Sequence, residues 1–172
     1  MTPPSGKPLV LVSACLLGQA TRYDGRSKPA PVILAEVGPW VGWLPVCPEA
    51  ESGLGTPRPP MQVNRQADGD IGLVRPDDGF DPAPTLRVWI ARALPALLSR
   101  HPAAAILKAR SPSCGLGTAV VLDATRPGVE ITGDGLFAAA LRLAAPTLPI
   151  YDEDGLATPE QCRQFLRLIL DA

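Results

Sequence analysis

Three of the four cysteines stand just beyond short apolar runs of strand length, and this arrangement constrains the fold more than any other feature of the chain. Cys15 follows Lys7-Pro-Leu-Val-Leu-Val-Ser13, Cys47 follows Trp43-Leu-Pro-Val46, and Cys114 follows Ala103-Ala-Ala-Ile-Leu-Lys108 and an Arg110-Ser-Pro-Ser113 turn. Short apolar runs bounded by turn-forming residues read as buried strands. In an open parallel α/β sheet the C-terminal strand ends line one crevice, where ligands bind. The pattern therefore predicts an α/β fold with a mostly parallel sheet, in which three thiols far apart in sequence meet in space.

Ligand chemistry limits what those thiols could hold. Thiolates are soft donors that select zinc, copper(I) or iron-sulfur clusters over hard cations. A 4Fe-4S cube usually takes four cysteines, so a site with three leaves one iron open. An open coordination position separates catalytic from structural metal sites. The chain has no Cys-x-x-Cys pair and only one histidine, His101, which argues against a zinc ribbon, a thioredoxin-like site or a Cys-His hydrolase. Cys162 falls at helical spacing with Phe165, Leu166 and Ile169 and is read as core. A three-cysteine zinc hydrolase and a non-enzymatic iron-sulfur module for sensing or electron transfer are the rival readings.

Other side chains gather around the same strand ends. Glu49 stands two residues after Cys47, where a carboxylate would point near the crevice and serve as a general acid or base. Ser111 and Ser113 flank Pro112 immediately before Cys114, and Ser13 precedes Cys15 by two. Arg22, Arg58, Lys108 and Arg110 are single charges near the crevice, suited to neutralising an anionic cluster or gripping a substrate carbonyl.

At 172 residues, 46% of them hydrophobic, the chain matches one domain spanning 1–172 with a proper core. Its 16 basic and 17 acidic residues give a net charge of −1 and no Lys/Arg-rich run, which disfavours nucleic acid and points to a small, neutral partner. No apolar stretch is long enough to span a bilayer. The segment Met1-Thr-Pro-Pro-Ser-Gly6 lacks the basic and apolar regions of a signal peptide. The expected location is the cytoplasm, where thiols stay reduced.

Periodicity and punctuation fill in the elements. Helices are expected at about 29–37, at 84–100 with Pro84 in the first turn and Pro95 bending or ending it, at 136–144, and at 159–170. For the last, Thr158, Pro159 and Gln161 form a capping box. Gly133-Asp-Gly135 is expected to open the 136–144 helix with free N–H groups facing a ligand. The Gly-, Pro- and Asp-rich stretch 52–82 reads as a flap, with a short edge strand near 61–63. Further strands are expected at 119–122 and 147–151.

Several of these segments together resemble the thiouracil desulfidases, a bacterial family also catalogued as domain of unknown function 523. The resemblance rests on Val12-Ser-Ala-Cys-Leu-Leu-Gly18, Arg22-Tyr-Asp-Gly25, Val46-Cys-Pro-Glu49, Gly53-Leu-Gly-Thr-Pro-Arg-Pro-Pro60, Ile106-Leu-Lys-Ala-Arg-Ser-Pro-Ser-Cys-Gly115 and Gly133-Asp-Gly135, spanning about 8–153. It implies a single Rossmann-like three-layer α/β domain with a 4Fe-4S cluster on Cys15, Cys47 and Cys114. The implied reaction is non-redox desulfuration of a thiolated uracil such as 2-thiouracil, assisted by a carboxylate, Glu49 by motif position, and by a serine, Ser111 ahead of Ser113 or Ser13. Ser13, Ser113 and Lys108 are expected at the substrate. The chain departs from the family pattern at Gln62, commonly Glu, at Asp81-Pro82-Ala83, and in lacking a Tyr-Asp-Gly turn after the third cysteine.

Overall fold

The computed structural model describes residues 6–123, 125–126 and 128–171; the segment Met1-Thr-Pro-Pro-Ser, read above for targeting signals, lies outside them. The apolar runs form strands as their composition demands. β1 (Leu9–Ser13), β2 (Gly42–Val46), β5 (Ala104–Leu107) and β8 (Ile150–Asp152) make one sheet in the order β2-β1-β5-β8, every pair parallel. Helix α1 (Pro31–Glu36) links β1 to β2, and α3 (Leu136–Ala144) lies between β5 and β8 in the chain.

Side-chain alternation divides the core into two layers of packing. Val10 and Val12 of β1 and Ala104 and Ile106 of β5 face α1 and the C-terminal helix α4 (Pro159–Leu170), packing with Ile33, Val37, Cys162, Phe165 and Ile169. Leu11, Ala105 and Leu107 face the opposite side, against α2 (Ala83–Leu98) and α3 through Leu86, Ile90, Phe137 and Leu141. Helices on both faces of a parallel sheet give the three-layer α/β architecture expected. β1 connects to β2 on one side and pairs with β5 on the other, which makes the β1/β5 boundary a topological switch point.

The stretch expected to be a flap holds a strand pair. β3 (Gln62–Arg65) and β4 (Ile71–Val74) form a hairpin, and β3 also pairs in parallel with β6 (Ala119–Asp123), which pairs with β7 (Ile131–Gly133). This second sheet, ordered β4-β3-β6-β7, buries Val63, Leu73 and Val121 against α2 and α3. The strand expected at an edge is thus interior, because its partner β6 starts 57 residues downstream of its own start and no local pattern shows that pairing.

Helix signals were more faithful. The capping box of α4 is complete: Gln161 N–H donates to Thr158 Oγ1 at 3.3 Å and Thr158 N–H to Gln161 Oε1 at 3.0 Å. Pro84 occupies the second position of α2, and the helix runs through Pro95 to end one turn later at Leu98. The N-terminus of α3 differs from expectation. Its Leu136, Phe137 and Ala138 N–H groups donate to the carbonyls of Pro112 and Ser113, so they hold the loop before Cys114 and do not face a ligand.

That docking leaves no room for a side chain at Gly135, where a Cβ would sit 2.5 Å from the Ser113 carbonyl carbon. Because the obstacle is backbone, Gly135→Ala must displace the cysteine loop. We expect a loss of about 1–3 kcal/mol of stability, read from the denaturant midpoint.

Candidate functional site

β1, β2 and β5 end at the same edge of the parallel sheet, and the chain beyond each carries a cysteine. Cys15 lies in a 3-10 turn, Ala14–Leu17, directly after β1. Cys47 follows β2, with its N–H donated to Glu51 Oε1 at 2.7 Å and its thiol facing the Thr21 carbonyl at 3.6 Å. Cys114 sits in the turn fixed by Ser111, whose Oγ accepts the N–H groups of Ser113 at 3.2 Å and Cys114 at 3.1 Å. The turn starts at Arg110, held at φ 62°, a left-handed conformation uncommon for a non-glycine residue.

All three thiols line one cavity of about 430 Å³, together with Ser13, Thr21, Arg22, Tyr23, Glu49, Arg58, Gln62, Lys108, Arg110 and Ser111. Cys15 and Cys114 are buried, and all four cysteines are free. Burial first, and the neighbouring Cys47 second, pushes the Cys15 thiol up to about 11. Burial likewise raises Cys114 well above the ordinary thiol range, against a lowering hydrogen bond from Ser13. Such thiols are poor free nucleophiles, since reactive cysteines have lowered values. A bound metal deprotonates its cysteine ligands, so buried thiols that line one cavity are suited to metal binding. Among the described residues no three Cys, His, Asp or Glu side chains are arranged to hold a single metal ion.

Glu49, 7% exposed, is fixed at both carboxylate oxygens. Arg58 donates to Oε2 from Nε at 2.8 Å, and its Nη2 lies 2.6 Å from the same oxygen as an ion pair. On Oε1, Ser113 donates from Oγ at 2.7 Å and Ser111 at 3.3 Å. Ser111 reaches the cavity, whereas Ser113 is fully buried behind it. Ser13 is buried too, its Oγ accepting the Lys108 N–H at 2.9 Å and so joining the ends of β1 and β5 at the switch point. Lys108 lines the cavity while its ammonium pairs with Glu153 and donates to the Ala109 carbonyl. Arg22 and Arg110, also on the cavity wall, pair with Asp24 and Asp154.

The candidate site residues Ser13, Cys15, Cys47, Glu49, Lys108, Ser111, Ser113 and Cys114, with Arg22, Arg58 and Arg110, therefore gather at this one end of the sheet, but the partnerships among them were not readable. The Arg58–Glu49 pair is the chief omission. Its signal was present as a single arginine inside the Gly/Pro-rich run 53–60, a rigid setting that seldom serves a merely solvated charge. Cys162 is separate, fully buried on the inner face of α4 with its thiol 3.5 Å from the Leu156 carbonyl.

The fold and site define a parallel α/β protein whose switch-point crevice is walled by three thiols and a clamped glutamate. Among known proteins, residues 10–153 match the model of the 2-thiouracil desulfurase family, and the chain belongs to that family. It is 31% identical over 140 residues to the uncharacterized protein YbbK of Bacillus subtilis (strain 168), covering 79% of this chain and 91% of that protein. It also resembles the solved structure of a [4Fe-4S]-dependent thiouracil desulfidase, TudS, with a TM-score of 0.67 and 34% identity over 92% of this chain and 98% of that one.

Proposed function

We propose that this chain is a 4Fe-4S-dependent desulfidase that converts a thiolated uracil and water to uracil and hydrogen sulfide. The observation that carries the reading is the convergence of Cys15, Cys47 and Cys114 on one cavity wall beside Glu49. Soft thiols that share a cavity, together with the likeness to a [4Fe-4S]-dependent desulfidase, support a cluster whose irons are bound singly over a lone zinc. Cys15, Cys47 and Cys114 would hold it, and a cube on three thiolates supplies a Lewis-acidic iron able to take a sulfur ligand.

The protein's own groups do the rest. Glu49 takes a proton from the attacking water at Oε1, and the Ser111 hydroxyl orients that oxygen and the water from the cavity side. Ser113, hydrogen-bonded to the same oxygen from behind, keeps the carboxylate in place. Lys108 is the cavity-wall contact for the pyrimidine, and Ser13 aligns the strand end that carries it. The substrate is a small molecule and not nucleic acid, in keeping with a net charge of −1. The proposed location is the cytoplasm, whose reducing conditions keep the thiols available; among the described residues no helix is long and apolar enough to cross a membrane.

The test is anaerobic reconstitution with iron and sulfide, followed by a sulfide-release assay on 2-thiouracil, 4-thiouracil and their nucleosides and nucleotides. Release of sulfide with formation of the oxo base is the expected result. A cluster that cycles electrons without releasing sulfide would make the protein an electron-transfer or sensing module, and zinc in place of iron would make it a zinc hydrolase. Cys162→Ser serves as the control: iron content and turnover should match the wild type, at about 1 kcal/mol of stability for a hydroxyl buried against the Leu156 carbonyl. Loss of iron in that variant would mean a fourth ligand and a closed site.

A further inference from the structure

Arg58 reaches the cavity wall from the Gly/Pro-rich run after Glu49, and its side chain is only 5% exposed. Each of its nitrogens is committed. Nε donates to Glu49 Oε2 at 2.8 Å, and Nη2 forms an ion pair with the same oxygen at 2.6 Å. Nη1 reaches the carbonyls of Thr21 at 3.0 Å and Gly55 at 2.9 Å, and Thr56 Oγ1 at 3.2 Å. The Thr21 carbonyl is also the group that the Cys47 thiol faces, at 3.6 Å. One guanidinium thus ties the loop after β1, the turn after β2 and the 55–58 run into a single wall.

The two carboxylate oxygens of Glu49 are consequently unequal. Oε2 takes one short charge-assisted hydrogen bond from Nε and an ion-pair contact from Nη2. Oε1 has one short donor, the buried Ser113, and a longer 3.3 Å contact from Ser111 on the cavity side. The rigid guanidinium, anchored through Nη1 to backbone carbonyls, holds Oε2 in place, which a single flexible ammonium cannot reproduce.

We propose that Arg58 is the positioning residue of the reaction: it locks Glu49 Oε2 so that Oε1, beside Ser111, is the oxygen presented to the cavity. The inference rests on the desulfidase reading for its kinetic consequence, and on geometry alone for its structural one. A misplacement of a reacting group by about 1 Å costs on the order of 100-fold in rate. Arg58→Ala should therefore lose about 100-fold in kcat with KM little changed and with iron content equal to the wild type.

Three readouts separate positioning from simple structural support. In a Glu49→Ala background, Arg58→Ala should cost nothing further, because the two act as a unit. Added guanidinium should restore part of the kcat of Arg58→Ala, and Arg58→Lys, which keeps the charge without the fork, should stay well below the wild type. Crystal structures of Arg58→Ala and Arg58→Lys should show the Glu49 carboxylate turned away from Ser113. Wild-type kcat in a folded, iron-replete Arg58→Lys, an additive loss in the double variant, or an unmoved Glu49 in these structures would each overturn the proposal. Should Arg58→Ala fail to fold, Arg58→Lys carries the same kinetic and structural comparisons. If the wild type released no sulfide from any thiolated base, the desulfidase reading would fall, and the position of Glu49 in the variant structures would still decide the role of Arg58.

Discussion

Replacing Cys15, Cys47 or Cys114 singly by alanine should abolish sulfide release, lowering turnover on the order of 10³-fold or more, equivalent to about 4 kcal/mol of barrier. The reason lies in their placement. Each thiol stands just past the end of a different strand of the same parallel sheet, so none can substitute for another; Cys162, on the buried face of α4 with its thiol against the Leu156 carbonyl, does not line the cavity. Iron per chain and the visible absorption of the reconstituted protein should fall together with activity. The apo fold should survive, since the strands, helices and ladder hydrogen bonds are complete without the sulfur atoms. Wild-type iron content in any one of the three variants would remove that residue from the ligand set.

Glu49→Gln should leave iron binding intact and lower kcat by about 10²- to 10⁴-fold, the usual contribution of a positioned general base. The amide keeps the shape of the side chain but has no carboxylate oxygen to take up a proton. Glu49→Ala adds a second effect, because it leaves the Arg58 guanidinium buried without its partner. Breaking a buried pair from one side costs about 3–5 kcal/mol, and the thermal midpoint should drop accordingly. The two variants therefore separate chemistry from structure: both lose turnover, and Glu49→Ala loses the greater share of stability. A Glu49→Gln enzyme with wild-type turnover would exclude the carboxylate from proton transfer.

These expectations depend on relations that differ in how far the chain displays them. The parallel sheet was legible because runs such as Leu9-Val-Leu-Val12 and Ala104-Ala-Ile-Leu107 are apolar throughout, as strands buried on both faces must be. The start of α4 was legible because Thr158 and Gln161 satisfy N–H groups only three residues away. The second sheet was not. Of the β3 residues Gln62, Val63, Asn64 and Arg65, three are polar and only Val63 is buried, so its place in the sheet depends on β6, a partner that no local signal announces. The free N–H groups expected at α3 were likewise claimed by the carbonyls of Pro112 and Ser113, more than twenty residues upstream.

For the site, the sequence by itself determined which groups gather at one end of the sheet. A parallel strand order sends every C-terminal end in the same direction, so residues just past Ser13, Val46 and Leu107 have to converge. Only the tertiary structure decided how those groups are joined: that Arg58 grips one oxygen of Glu49 while Ser113 and Ser111 share the other, and that Lys108 is paired with Glu153. Direction is a property of strand periodicity and connection, which local residues encode. Pairing between charges on separate loops depends on ångström-scale distances across the fold, which no local pattern specifies.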